Sequence, residues 1–306
     1  MHVVILSRSE NVHADAVAEY CSARSVVCRI NLDFETLGAD ELPWVALGEC
    51  IASQRPNAVF IHHPRVSCEK AWFKDDLERK LFVASWDSVK EWMEAAFPDA
   101  LWINRPSANQ RSKNVFGQLR LAQELGFKIP KTLFTNSVED LRTFGGNDTI
   151  VIKQGNLGVN LERKRILTSV VDASSLRTDA LRGCPCLFQA YVPKAYELRV
   201  HVIGDQVLTC KIDSQACEKT RVDWRNYDLE HTPHESYKLD AATRDRCVEL
   251  VKQLGLTFGV IDLVVSPGEE VVFLECNAQG HWLWIEKLTG LPITQVLCEH
   301  LLNGSA

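Results

Sequence analysis

The sequence predicts an α/β protein built from several lobes. Short β-rich runs alternate with helical patterns over the first hundred residues, and strand pairs at hairpin spacing fill the second half. The length, 306 residues, supports more than one core. The expected divisions are an N-terminal α/β lobe over 1–105, a central lobe over 106–190 and a C-terminal lobe over 191–306.

In chain order, Val3 to Leu6, Val26 to Ile30, Ala58 to Ile61 and Leu101-Trp102-Ile103 read as short strands. Val12 to Cys21 and Ser85 to Ala96 carry helical patterns between them, which is the layout of a parallel sheet with crossovers. No glycine fingerprint follows the first strand, so a dinucleotide site is not expected there. Asn104-Arg105-Pro106-Ser107 breaks the alternation, and Ser107 is expected to cap one helix carrying Val115, Leu119, Ala122 and Leu125, closed by Gly126. Thr149 to Lys153 is a β-branched strand running into the glycine-bearing stretch Gln154-Gly155-Asn156-Leu157-Gly158. Leu187 to Val192 is a further strand, and Glu197 to Ile203 and Val207 to Ile212 form a hairpin through Gly204-Asp205. Asp240 is positioned to cap a helix with Cys247, Leu250, Val251 and Leu254 on its apolar side, ended by Gly255.

Bulk properties narrow the function classes. A formal net charge of -6 and a pI near 5.9 argue against general binding to nucleic acid or anionic lipid. No run approaches the roughly 20 apolar residues that span a bilayer, and Met1 to Arg8 lacks a cleavage pattern and reads as the first strand. The eleven cysteines are odd in number and several lie inside apolar patterns, which suits reduced thiols in a cytoplasm. Cys184-Pro185-Cys186 lacks a second pair at zinc-site spacing.

The sharpest local signal is the pair Gly259 to Val265 and Val271 to Asn277. If Pro267-Gly268-Glu269-Glu270 is the hairpin loop, Ser266 faces Val271 and Asp262 faces Glu275, with Asn277 on the same side as Glu275. Two carboxylates across a ladder repel unless a cation lies between them, and a hard cation bridging to phosphates removes the conflict. Lys153 stands where an ammonium and backbone N–H groups would meet a triphosphate, although a strand-end lysine is ordinarily just solvated. Lys113 on an amphipathic helix is weaker still. Glu197 and Arg199 share a strand face and suggest a cross-strand ion pair, while Arg225 suggests a cation–π neighbour of an aromatic.

Taken in order, Lys113, Lys153, Phe188 to Val192, Glu197-Leu198-Arg199, Asp262 and Glu275-Cys276-Asn277 resemble the ATP-grasp ligases over nearly the whole chain. The stretch Phe273 to Glu286 looks like the C-terminal motif of the graspetide synthetases, the microviridin-type peptide macrocyclases, and Ile212 to Gln215, Asp223-Trp224-Arg225 and Leu288 to Ile293 fit the same group. Ala278, His281 and Cys276 depart from it, standing where proline, glutamine and an aliphatic residue are usual.

The resemblance implies an ATP-grasp fold behind a Rossmann-like pre-ATP-grasp domain. It implies that Lys113 and Lys153 hold phosphates, Gln189, Tyr191 and Val192 line an adenine pocket, and Glu197 accepts from the ribose. It makes Asp262, Glu275 and Asn277 magnesium ligands. Arg199 and Arg225 would bind the acidic side chain or the transferring phosphoryl group. The implied reaction uses ATP and Mg2+ to phosphorylate Asp or Glu side chains of a ribosomally made precursor peptide with a leader segment. Ring closure to Ser, Thr or Lys would follow, catalysed by a cytoplasmic homodimer. A ligase adding amino acids to a peptide or protein C-terminus is a second reading, and a non-catalytic ATP-binding scaffold a third.

Overall fold

A computed structural model of the chain describes residues 1–32, 55–64, 72–146, 149–153, 169–173, 176–226 and 228–303. The glycine-bearing stretch 154–158 therefore lies outside the described residues.

Four strands, β1 (His2–Ser7), β2 (Val26–Asn31), β3 (Ala58–Ile61) and β4 (Leu101–Ile103), form an all-parallel sheet in the order β2-β1-β3-β4. Its central strands are apolar on both faces, as a parallel sheet covered on two sides requires. Val3 and Ile5 pack on helix α1 (Val12–Ser22), whereas Val4 and Leu6 pack on Trp86, Val89 and Met93 of α2 (Asp76–Ala96). α2 begins nine residues before the expected Ser85, because Asp75 caps it by accepting from the Glu78 N–H.

The helix expected from Ser107 is two helices, α3 (Pro106–Arg111) and α4 (Val115–Glu124). Asn114 caps the second, and Ser107 instead donates to the Glu94 carboxylate at 2.6 Å. A second four-stranded sheet follows, ordered β5-β8-β6-β7 from β5 (Thr132–Thr135), β6 (Ile150–Lys153), β7 (Ser169–Val171) and β8 (Cys186–Ala190), with α5 (Val138–Gly145) packed beside it.

The third sheet is antiparallel, in the order β11-β10-β9-β12-β13. β9 (Tyr196–Ile203) and β10 (Gln206–Ile212) join through the two-residue turn Gly204-Asp205. Gly204 has φ +55°, and a Cβ there would come within 2.6 Å of the His300 ring, so turn and packing both require glycine. β11 (His234–Tyr237) is an edge strand, and α6 (Ala241–Gln253) is capped by Asp240 as expected.

β12 (Phe258–Val265) and β13 (Val271–Asn277) place Asp262 opposite Glu275, but not by the expected register. At the loop end Val265, not Ser266, faces Val271, one residue out of step. A β-bulge next to Asp262 takes up the difference, since Leu263 pairs with Phe273 and Asp262 with Glu275, leaving Leu274 as the extra residue. Before the bulge the odd-numbered Val271 and Phe273 face the core; after it Cys276 does, which turns Glu275 to the other side.

Packing crosses the expected divisions. Ala108, Leu119, Ala122 and Phe127 share a core with Leu198, Val200, Leu250 and Phe273 of the third sheet and its helix. The final helices α7 (Leu283–Thr289) and α8 (Ile293–Asn303) supply Ile285, Leu297, Cys298 and Leu301 to the core of the first sheet. Asn104, 1% exposed, locks the lobes together: its amide donates to the Phe258 and Ala278 carbonyls and accepts from the Thr257 and Phe258 N–H groups, all at 2.8 Å. Among the described residues no helix is long and apolar enough to cross a membrane.

Candidate active site

One face of the third sheet serves two purposes along its length. Near the turn Ile203, Phe258 and Val260 are buried in the core shared with the N-terminal lobe. Further along, the same face carries Glu197, Asp262 and Val264 into a cleft. The opposite wall comes from the second sheet, with Val151 and Lys153 of β6 and Gln189 to Val192 at the end of β8.

The acidic and basic groups form a cross-strand row. Arg199 on β9 stands opposite Asp262 on β12, which stands opposite Glu275 on β13. Arg199 Nη1 donates to Asp262 Oδ1 at 2.9 Å, and its Nη2 donates to the His281 carbonyl at 3.2 Å. Lys153 Nζ lies 3.7 Å from Glu275 Oε2, and Arg225 Nη1 lies 3.4 Å from Glu275 Oε1. Asn277 donates to both carboxylates, at 3.4 Å to Asp262 and 3.3 Å to Glu275.

Burial and charge separate the two acids. Burial raises the Asp262 carboxyl above its ordinary value, with Arg199 opposing it only in part. Burial acts the same way on Glu275, but Lys153 and Arg225 outweigh it and hold that carboxyl below its ordinary value. Burial also works against the Arg225 cation, and Asp223 and Glu275 more than offset this. The sequence suggested an aromatic neighbour for Arg225, and the structure gives it a carboxylate. Its guanidinium grips the buried Asp223 side-on, Nε to Oδ1 at 2.9 Å and Nη2 to Oδ2 at 2.8 Å, and it is Arg199 that lies 5.0 Å over the Trp224 ring.

Gln189, Tyr191, Val192 and Glu197 all line the cleft, among the apolar groups Pro130, Val222, Val264 and Leu274. Gln189 turns its amide to Thr132 Oγ1 at 3.1 Å. Glu197 does not pair with Arg199; its carboxylate accepts from Lys194 Nζ at 2.8 Å, both side chains being 5% exposed. Burial raises the Glu197 carboxyl, and Lys194 partly counters it. Lys113 is not brought to this cleft. It is exposed between α3 and α4 and donates to Gln110 Oε1 at 2.9 Å.

Two cleft residues were given no role from the sequence. Lys194 follows Pro193 in a segment without periodicity, and Asp223 was quoted only as part of the Asp223-Trp224-Arg225 segment. Only the pairing of Lys194 with a buried Glu, and of Asp223 with Arg225, reveals them.

No family model matches the sequence, and no curated protein does. Solved structures match it from end to end. A RiPP-associated ATP-grasp ligase of Chryseobacterium gregarium, solved with ADP and a leader and core peptide, is 24% identical, with a TM-score of 0.82 over 99% of this chain and 97% of that one. The macrocyclase MdnC of Microcystis aeruginosa MRC, bound with precursor peptide MdnA, is 25% identical, with a TM-score of 0.82 over 99% and 100%. The ATP-grasp ligase PsnB, complexed with a phosphomimetic variant of minimal precursor, Mg and ADP, is 21% identical, with a TM-score of 0.77 over 99% and 98%. A cleft between two sheets, floored by paired carboxylates and walled by a strand-end lysine, accompanies that likeness, and the chain is similar in fold, from end to end, to these ATP-grasp ligases and macrocyclases.

Proposed function

We propose that the protein is an ADP-forming, ATP-dependent ligase that phosphorylates Asp or Glu side chains of a ribosomally made precursor peptide and closes them onto Ser, Thr or Lys. The observation that carries this is the pair Asp262 and Glu275 lining a cleft between two sheets, with Lys153 and Arg225 beside them and the buried Arg199 bonded to Asp262 from behind.

The residues fit the ligands implied. Asp262, Glu275 and, with its amide turned, Asn277 offer a set of oxygen donors, which suits magnesium rather than a softer metal. Magnesium, when bound, supplies neutralisation of phosphate charge. Lys153 would hold phosphates, and Gln189, Tyr191 and Val192 would border the adenine against the apolar wall. Glu197, oriented by Lys194, would accept from the ribose hydroxyls. Lys113 would join them only through a movement of its segment. A peptide carboxylate attacking ATP brings two anions together, and Arg199 and Arg225 supply fixed positive charge at that point. Asp223 holds Nε and Nη2 of Arg225, so Nη1, the nitrogen now facing Glu275, is the one turned toward a substrate.

A decisive experiment incubates the full-length protein, ATP and Mg2+ with a short peptide encoded beside its gene, one carrying Thr and Glu or Asp residues. The expected product has lost one water per ring, with one ADP released for each. A peptide heavier by one amino acid would favour the C-terminal ligase reading, and ATP binding without ADP release would favour the scaffold. Oligomeric state is a separate question; a homodimer follows from the same reading, and sedimentation would test it.

A further inference from the structure

Three histidines outside the cleft converge at the seam between the first sheet and the loop after β13. His62 and His63 follow β3 at the carboxyl edge of a parallel sheet, and His281 lies four residues past Asn277. One ligating nitrogen from each falls within 4.8 Å of the others, and Nε2 of His63 is 3.1 Å from Nε2 of His281. Tetrahedral zinc with bonds of about 2.0–2.1 Å needs ligand nitrogens about 3.3 Å apart. Closure by up to about 1.5 Å would therefore complete the geometry.

His62 gives the second, independent sign. It is 1% exposed, and its Nδ1 lies 3.2 Å from Asn11 Oδ1 while Asn11 Nδ2 donates to the His62 carbonyl at 2.9 Å. Asn11 Nδ2 lies 3.0 Å from the same Nδ1, so the amide holds this edge of the ring whichever nitrogen carries the proton, and the buried Nε2 has no partner at hydrogen-bond geometry. An amide set against one nitrogen of a buried histidine whose other nitrogen is unpartnered is the arrangement that an outer-shell group makes with a metal-ligating imidazole. His63 adopts φ +47°, a left-handed conformation uncommon for a residue of its size.

We propose that His62, His63 and His281 form a site for one divalent transition metal of the zinc type, joining the N-terminal lobe to the loop that carries His281. Its three imidazoles differ in kind from the carboxylates of the cleft, so magnesium is not its ligand. Burial pushes the His62 imidazole well below its ordinary value, which keeps it neutral, the form that ligates. The His281 carbonyl accepts from Arg199, so a metal held by the His281 ring would also fix the acceptor that steadies Arg199. Three protein ligands leave a fourth position for water or a substrate group.

The probe is Co2+ added to the full-length protein in excess Mg2+. About one cobalt per chain should bind, giving the strong visible bands of a four-coordinate ion, and Zn2+ should displace it. His63→Ala and His281→Gln should each weaken binding by more than the roughly 10–100-fold typical of losing an outer-shell partner. Glu275→Gln should leave cobalt binding unchanged, which separates this site from the cleft. Wild-type protein whose Tm does not rise with Zn2+, and which shows no such bands, would overturn the proposal even if the variants fold poorly. Cobalt binding that survives both histidine substitutions, or vanishes in Glu275→Gln, would overturn it equally.

Discussion

At the residue scale, the balance around Glu275 decides how the cleft behaves. Lys153 and Arg225 hold its carboxylate ionised, while Asp262 relies on Arg199. Glu275→Gln keeps the shape and removes one charge. Because a lone carboxylate binds magnesium more weakly than a pair, the variant should need more Mg2+ for half-maximal turnover and should turn over more slowly. Its melting temperature should stay near wild type. A magnesium titration of ADP release measures this, and an unchanged curve would make Glu275 purely structural. The Asp262–Glu275 pairing was reached from the sequence, but through a loop register one residue out that the bulge at Leu274 offsets. Lys194 and Asp223 were not legible, since each becomes informative only through a partner that folding delivers.

At the element scale, local rules worked where one signal stood alone. Asp240 is the single capping acid before an apolar stripe closed by Gly255, and the helix runs from Ala241 to Gln253. Asp240→Ala should cost about 1 kcal/mol at neutral pH, the usual loss for an N-cap. The Thr243 hydroxyl and N–H hold the Asp240 carboxyl below its ordinary value. A lowered folded-state pKa contributes stability above the unfolded pKa and loses it as pH falls through the folded one. Urea melts should therefore show the gap between variant and wild type shrinking in acid, below the ordinary carboxylate range. Where a break fell inside the expected helix, sequence reasoning failed: only Ser107 was read as a cap, but the first helix ends at Arg111 and Asn114 caps the one that carries the apolar stripe. β11 was missed because His234-Glu235-Ser236-Tyr237 is a polar edge strand without apolar alternation. The bulge at Leu274 was invisible for a different reason. Two one-residue errors, at the loop and at the bulge, cancel before Asp262 meets Glu275.

At the scale of the whole molecule, the lobes were legible as sheets but not as cores. Binary patterns show which face of an element is apolar, not which other element covers it. Asn104 shows the consequence, because an amide that looked like part of a linker satisfies four backbone groups on two distant segments. Asn104→Ala would strand those groups in the interior, and roughly 2–4 kcal/mol of stability should be lost. Chemical denaturation measures this, and a loss within about 0.5 kcal/mol, the range of ordinary surface changes, would contradict it. The core that joins Val3, Ile5, Ala14 and Val17 to Leu297, Cys298 and Leu301 has a further consequence, for synthesis. At about 5–20 residues per second, a ribosome that has finished the first sheet takes roughly tens of seconds to deliver the helix that covers one of its faces. During that interval only α1 lies on that apolar face and the rest of it is uncovered, so the earliest-made lobe is among the last to be finished and is the part a chaperone would meet first.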